Sequence, residues 1–375
     1  MIAAAFDSIP AMIVLTGVLV GLSGALLGTF LVLRGSAMLT DAISHSIVLG
    51  IILVWLATSQ LSGPVQVIGA GLAGLATVVM SEALGRSRLV RMDAAIGLVF
   101  PAMFALGVLL ISLYARDVHI DVETVLLGEI GFVWLHTTPL WGAEVPVTVL
   151  TLAAMLTINL IFVLALWKEL KLSIFDPGLA AALGLAPAAV GYGLLALTSA
   201  TAVAAFEAVG AVLFIAFVIV PPATAFLLTR RLGTMVVIAA VVAVASVGAG
   251  YQLARLWDVS IAGMMAAMTG AFFAAALVAA PQQGVVAQGL RRRTQRLDAD
   301  CTALVAHLAT HAGRPEMAGE STLRALVEHL HWPEARARAA VLRGLDRGLV
   351  RRAGGQLALS AKGAAMARAL LAMPR

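Results

Sequence analysis

Asp41, Ser44 and His45 stand in an otherwise apolar run, LRGSAMLTDAISHSIVLGI, from Leu33 to Ile51. On a helix, residues three and four apart share one face, so a carboxylate and an imidazole would project side by side. One oxygen ligand and one imidazole are a fit start to the shell of a divalent transition ion. A carboxylate in a lipid-spanning segment is costly, and it persists facing a protein interior or a water-filled path. The same residues read equally well as a polar contact between packed helices or as an acidic helix N-cap. Glu207, in TAVAAFEAVGAVLF, is a second carboxylate beside apolar sequence. From the residues alone, an interfacial carboxylate is the simpler account of it.

The segments that must position these groups are membrane spans. Of 375 residues, 61% are hydrophobic and 12% charged, with a mean hydropathy of +1.00. An ordinary soluble domain has roughly a quarter of its residues charged, so that class is excluded. Apolar runs long enough to span a bilayer cover Ala11–Leu33, Ala37–Thr58, Val65–Leu84, Ala94–Tyr114, Val147–Trp167, Ala188–Phe206, Val209–Leu228, Thr234–Ala254 and Ile261–Ala280. The expected fold is an all-α polytopic membrane protein of about 8–9 transmembrane helices. Small residues, as in GAGLAGLA at 69–76, predict close helix packing. The N-terminus has no basic n-region or cleavage pattern, so the first run is expected to remain a span. A single cysteine, Cys301, excludes an intramolecular disulfide and a CxxC metal site.

Charge divides the chain. Residues 284–375 hold 15 Lys and Arg against 7 Asp and Glu, leaving 10 against 13 for residues 1–283. This predicts a transmembrane domain at 1–283, a basic linker at 284–298 and a soluble domain at 299–375. Alternate connections carry Arg34, then Arg86, Arg88 and Arg91, then Lys168 and Lys171, then Arg230 and Arg231, then Arg291 to Arg293. The opposite set holds only Arg116 and Arg255. Positive loops stay cytoplasmic, which predicts an outside N-terminus and a cytoplasmic C-terminus. Asp41 and His45 then lie about 6–15 Å along the second helix, with Glu207 nearer the outer face.

Four connections carry further information. Residues 115–146 are too polar for a span and predict an extracytoplasmic connection, with a short amphipathic or re-entrant helix around Val122–Leu135. Trp134 and Trp141 would sit at the interface, and His119, Asp121 and His136 read as solvated. In KELKLSIFDPGLAAALGLAP (168–187), Asp176 and Pro177 predict an N-cap and first helical residue. The short helix Gly178–Leu183 would then expose Phe175, Leu179 and Leu183, which need a partner or a membrane surface. Pro221-Pro222 predicts a broken or ended helix. The tail reads as helices Ala299–Thr310, Ser321–Leu330 and Glu334–Arg347, a hairpin within Gly348–Gly363 and a helix Ala364–Leu371, the order of a winged helix. Arg336, Arg338, Arg343 and Arg347 could contact phosphates, a protein partner or the inner leaflet, and tethering to a membrane favours the latter two over DNA. His307, His311, His329 and His331 read as surface residues, because no spacing fits a closed metal site.

Several stretches together resemble the permease subunits of bacterial metal-uptake ABC transporters, the zinc/manganese/iron permease group. They are LVLRGSAMLTDAISHSIVLGI (31–51), DAAIGLVFPAMFALGVLLIS (93–112), LLGEI (126–130), FDPGLAAALG (175–184) and FEAVGAVLFIAFVIVPPATAFLLT (206–229). The resemblance implies a multi-pass protein of the bacterial inner membrane. It implies a pair of permease chains, identical or paralogous, on two cytoplasmic ATPase subunits, fed by an extracytoplasmic metal-binding protein. It makes Asp41 and His45 the intramembrane ion site, with Glu207 a weaker carry-over, and 172–186 the coupling helix, with Phe175, Asp176, Pro177, Leu179 and Leu183 docking the ATPase. The transported manganese, iron or zinc is cargo, no covalent cofactor is implied, and ATP belongs to the partner subunits. The chain has no GxxxxGK[ST] phosphate loop and is not expected to be an enzyme. The tail resembles the winged-helix domain of metal-dependent repressors. Two other readings stay open: a membrane-tethered, metal-responsive DNA-binding regulator and a stand-alone secondary metal transporter.

Overall fold

The computed structural model describes residues 8–59, 64–87, 89–115, 128, 130–140, 143–281, 283–312, 319, 321–353 and 355–371. The chain forms two compact units, residues 1–280 and 281–375. The first begins with α1 (Ile9–Arg34), α2 (Met38–Thr58), α3 (Pro64–Arg86) and α4 (Met92–Tyr114). One turn of 3-10 helix, Ile130–Leu135, leads into a hairpin of β1 (Thr137–Leu140) and β2 (Ala143–Pro146). Then follow α5 (Val147–Ala165), α6 (Trp167–Phe175), α7 (Pro177–Ala182), α8 (Pro187–Leu228), α9 (Leu232–Trp257) and α10 (Ile261–Ala279). Among the described residues, nine helical stretches are long and apolar enough to cross a membrane, α8 contributing two of them. They correspond one for one to the nine apolar runs of the sequence.

α1 is the central helix, packed against α5, α8 and α9. A stripe of small residues allows this. Gly17 faces Val247 of α9 and Met265 of α10, Gly21 faces Ala243 and Phe217, Gly24 faces Phe217, and Gly28 lies on the backbone of Val218. A Cβ at Gly28 would overlap the Val218 carbonyl. Phe30, Leu27 and Leu31 are wholly buried on the same helix. Buried hydroxyls on these helices are satisfied within their own turn: Thr16, Thr29, Ser46 and Thr198 donate to carbonyls four residues back. Large apolar side chains left exposed, such as Leu106, Leu109 and Leu113 on α4 or Ile158 and Ile161 on α5, form faces suited to lipid.

Three expectations are corrected. First, Pro221-Pro222 does not break its helix. The break in α8 is at Gly210, whose φ of 73° and ψ of 169° are open to glycine alone. Phe206 and Phe214 would be about 12 Å apart along an unbroken helix. Their rings instead meet edge to face at 5.8 Å, because the chain folds back at Gly210. The prolines are tolerated because the helix around them is packed. Pro222 has no N–H to offer Val218, and it is the Val218 carbonyl that abuts Gly28.

Second, the described part of the helix expected around Val122–Leu135 is a single 3-10 turn, followed by a hairpin that the sequence did not reveal. Residues 116–127, with His119 and Asp121, and Trp141 lie outside the described residues. The hairpin pairs Thr137 with Pro146 and Thr138 with Val145. β-branched residues favour the extended chain, and Pro139 would disrupt a helix. Third, residues 285–298, expected only to link two domains, are the first half of a long helix. Arg, Gln and Leu are good helix formers, and no proline interrupts them.

The second unit comprises that helix, α11 (Val285–His311), then α12 (Leu323–His329), α13 (Glu334–Asp346), the antiparallel strands β3 (Val350–Ala353) and β4 (Gln356–Leu359), and α14 (Ala361–Leu371). Its core gathers Leu304, Val305, Leu326, Trp332, Ala337, Val341 and Val350. Thr322 caps α12 by accepting from the Ala325 N–H at 3.2 Å. Gly355 takes a φ of 82° between the strands.

Gly28→Ala is expected to destabilise the purified protein by about 1–3 kcal/mol, because the added methyl must push α1 off α8. Gly71→Ala is the control, since its Cβ would meet open space. Thermal unfolding in detergent checks this, with a lowered midpoint expected for the first variant only.

Candidate functional site

α1 ends at Gly35, a left-handed cap with φ 72° whose N–H bonds the Val32 carbonyl at 3.1 Å. After this turn α2 starts at Met38 and places Asp41 in its first turn, with His45 one turn on. His45 Nε2 is 3.5 Å from Asp41 Oδ1. With ligand distances of about 2.0–2.2 Å and tetrahedral angles, two donors on one ion stand roughly 3.4 Å apart. The side chains are therefore already at ligand spacing. Ser44 is not part of the pair, since its hydroxyl donates to the Asp41 carbonyl at 2.6 Å.

The pair sits on the surface of the unit, with Asp41 40% and His45 32% exposed. The imidazole is held by two aromatic rings of α4. Phe100 stacks on it at 5.6 Å and Phe104 meets it edge-on at 5.9 Å. Sequence reasoning missed both phenylalanines. Their signal was their i, i+4 spacing around Pro101 in DAAIGLVFPAMFALG. Among the described residues no group of three His, Cys, Asp or Glu forms a metal shell.

Glu207 lies in the first limb of α8, three residues before the fold-back at Gly210. Its side chain is outside the described part of the structure. Gly128, from the LLGEI stretch, has a φ of 65° and rests on the backbone of Val209 and Gly210. Two motifs that are 80 residues apart in sequence thus meet at the turn that follows Glu207. His136 and Trp134 flank the hairpin, and the Trp134 indole donates to the Gly131 carbonyl at 3.0 Å.

The loop helix forms as its sequence predicts. Asp176 accepts from the Leu179 N–H at 2.9 Å, and Pro177 is the first helical residue of α7. Gly184 ends the segment with a φ of 80°. Phe175, Leu179 and Leu183 are 61%, 47% and 65% exposed. Such a set of bare apolar side chains on a short helix lacks any partner within the chain.

α6, which carries this loop, is joined to the bundle beside a charged cluster. Glu82 of α3 lies 3.6 Å from the Arg34 guanidinium and 3.2 Å from that of Arg86, and it accepts from the Tyr192 hydroxyl at 2.6 Å. Gly191 leaves the room that the Arg34 guanidinium fills. Arg34, Gly191, Leu170 and Ser173 line one small cavity, so α1, α8 and α6 meet there. One carboxylate thereby ties the ends of α1, α3 and α8 together next to the exposed loop.

In the second unit the four arginines singled out from the sequence are all paired. Arg336 forms a two-pronged bond to Asp300, at 3.0 and 2.6 Å, while lying 4.8 Å over the Trp332 ring. Arg343 and Arg347 share Asp298 at 3.1 and 2.7 Å. Arg338 bonds Glu334 at 2.7 Å along its own exposed helix face. Three of the four thus fasten α13 to α11. Burial pushes the Asp298 carboxyl up, but the bonds and charges of Arg343 and Arg347 outweigh this and hold it below the usual carboxylate range.

A model of the ABC 3 transport family matches residues 8–280. The zinc transport system membrane protein TroD of Treponema pallidum is 44% identical over 359 residues, covering 96% of this chain and 98% of the relative. The manganese transport system membrane protein MntD of Bacillus subtilis is 45% identical over 285 residues, covering 76% of this chain and 96% of the relative. A solved structure, PsaBC from Streptococcus pneumoniae in complex with Fab, superposes with a TM-score of 0.62 at 25% identity. That match covers 76% of this chain and 98% of the other. The first match is long enough to extend into the second unit, whereas the second has about the length of the first unit.

The Asp298 pairing has a definite pH sign. A carboxyl depressed in the folded state stabilises fully above its unfolded pKa of about 3.9, and the contribution is lost as pH falls through the lower folded value. Asp298→Asn is expected to lower the stability of the second unit at neutral pH and to flatten its acid dependence below about pH 4. Acid titration followed by tryptophan fluorescence on both full-length proteins measures this, and identical profiles would remove Asp298 from the contact.

Proposed function

This chain belongs to the ABC 3 transport family, and on that premise we propose that it is the membrane-spanning permease subunit of an ATP-driven importer of divalent transition-metal ions. The observation that carries the reading is the Asp41–His45 pair, at 3.5 Å and half-exposed on a helix of spanning length. An ionisable pair in that position does not face lipid; it faces a second chain or the ion's path. Two ligands from one permease chain leave the shell open, so the ion is held loosely enough to move on. A second permease chain, identical or paralogous, supplies the rest of the path. Phe100 and Phe104 keep the imidazole in place between passages. Glu207 belongs to the same route at the fold-back of α8.

The positively charged connections put the N-terminus outside and the second unit in the cytoplasm, in a bacterial inner membrane. An extracytoplasmic protein delivers the ion on the hairpin side. On the opposite side, α6 and α7 present Phe175, Leu179 and Leu183 to a groove of an ATPase subunit, one ATPase per permease chain. The Glu82 cluster passes movement of this loop to α1, α3 and α8. ATP stays on the ATPase and biases an inward/outward equilibrium of the permease pair. The relatives are named for zinc and for manganese, and one carboxylate with one imidazole suits either, or iron(II).

The second unit, with three helices, a hairpin and a last helix, is a winged-helix-like domain, and 281–284 is its connection to the permease. Commitment of Arg336, Arg343 and Arg347 to Asp300 and Asp298 favours a protein-contact or regulatory module over a DNA-binding one. Arg338 on its exposed face is the most available of the four for a partner.

Uptake in proteoliposomes containing the ATPase and the binding protein tests the ion site. Asp41→Ala and His45→Ala are each expected to reduce ATP-dependent manganese or zinc uptake at least tenfold with normal membrane expression. Uptake at wild-type rate by both variants would sink the site. For the loop, Phe175→Glu with Leu179→Glu is expected to abolish co-purification of the ATPase. Metal flux from the isolated chain without any ATPase would instead favour a stand-alone transporter.

A further inference from the structure

Three histidines that are scattered in the sequence come together in the second unit. His307 and His311 are one turn apart at the end of α11, and His329 is the last residue of α12. The ring centroids of His307 and His311 are 4.8 Å apart, those of His307 and His329 6.0 Å, and those of His311 and His329 6.4 Å. Around one tetrahedral ion, with each ligating nitrogen about 2.0–2.1 Å away, imidazole centroids stand roughly 5 Å apart. The cluster is within about 1.5 Å of that arrangement in every pair.

We propose that His307, His311 and His329 form a divalent-metal site in the second unit, separate from Asp41 and His45 and selective for ions that prefer imidazole. Two histidines at i and i+4 on one helix face are a chelating pair in their own right, and His329 closes the third side from a neighbouring helix. His311 Nδ1 is buried without a hydrogen-bond partner, which a metal bond would satisfy. α11 ends at His311, so its terminal carbonyls present their negative end to a cation there. The donor atoms do not yet converge on one point among the described residues. Rotation about the side-chain bonds of three partly exposed rings brings them to it, a smaller change than any backbone movement. Cys301 is excluded, being packed in the core against Gly344. His331 makes no ring contact with the three and lies beyond α12.

Three imidazoles and no carboxylate favour zinc, cobalt, nickel or copper over manganese. Three protein ligands also leave a fourth position open, as in sites that exchange their ion. The cluster therefore suits a reversible sensor of metal on its side of the membrane. This step of the inference rests on the transport reading, but binding itself does not.

The test is cobalt(II) binding to the full-length chain in detergent, read by visible absorption and by equilibrium dialysis, with zinc as competitor. The measurement is made in an Asp41→Ala, His45→Ala background, so failure of the transport reading leaves it intact. One equivalent of cobalt with d–d bands in the visible, displaced by zinc and not by manganese, is expected. His311→Ala should weaken binding at least about tenfold, since even outer-shell changes cost that much. Triple replacement of the histidines by glutamine should abolish it while far-ultraviolet circular dichroism stays unchanged. Retention of the bound equivalent in the folded triple variant overturns the proposal. So does the absence of binding in the background protein.

Discussion

The contact of α1 with α8 at Gly28 and Val218 is the constraint on which the rest of the membrane unit depends. Pro222 deprives the Val218 carbonyl of its helical donor, and a glycine on the neighbouring helix lets the two backbones close over it. In lipid no water is available to do this, so backbone proximity substitutes for it. Once α1 is seated, its two ends are fixed as well. Its C-terminal end carries Arg34 into the Glu82 cluster, and the Gly35 cap turns the chain so that Asp41 opens the next helix. The ion pair and the loop-side charge cluster are thus set by the same packed helix.

The Asp41–His45 pair shows how little is needed to make a passage site. A single helical turn supplies two donors at the separation that one ion requires, and two phenylalanines restrict the imidazole without contributing a ligand. The half-exposed position is unfavourable for an isolated chain in lipid and favourable at an interface between two chains. Incompleteness is then a functional property. A closed four-ligand site would hold the ion in a well, while a shared one can pass it along.

The second unit illustrates a different balance. Its excess of basic residues reads in sequence as a surface for anions, yet Asp298 and Asp300 engage three of the prominent arginines and hold α13 on α11. These partly exposed pairs matter less for total stability than for the angle between two helices. By fixing that scaffold they also support α11, whose end carries two of the three converging histidines.

The nine spans, the division into two units, the Asp176 cap and the tail's helix–hairpin order were legible in the sequence, because each depends on local pattern: apolar length, charge asymmetry, cap chemistry and alternation. The Asp41–His45 pairing was legible for the same reason, since an i, i+4 spacing becomes a contact as soon as the helix forms. The fold-back at Gly210 rather than at Pro221-Pro222 was not legible. Whether a proline breaks a helix depends on what packs against the freed carbonyl, and Gly28 is almost 200 residues away. The hold of Phe100 and Phe104 on His45, the meeting of Gly128 with Gly210, and the approach of His329 to His307 and His311 are likewise contacts between separate elements. Periodicity fixes a face within one helix and says nothing of which face it meets; only tertiary packing decided these.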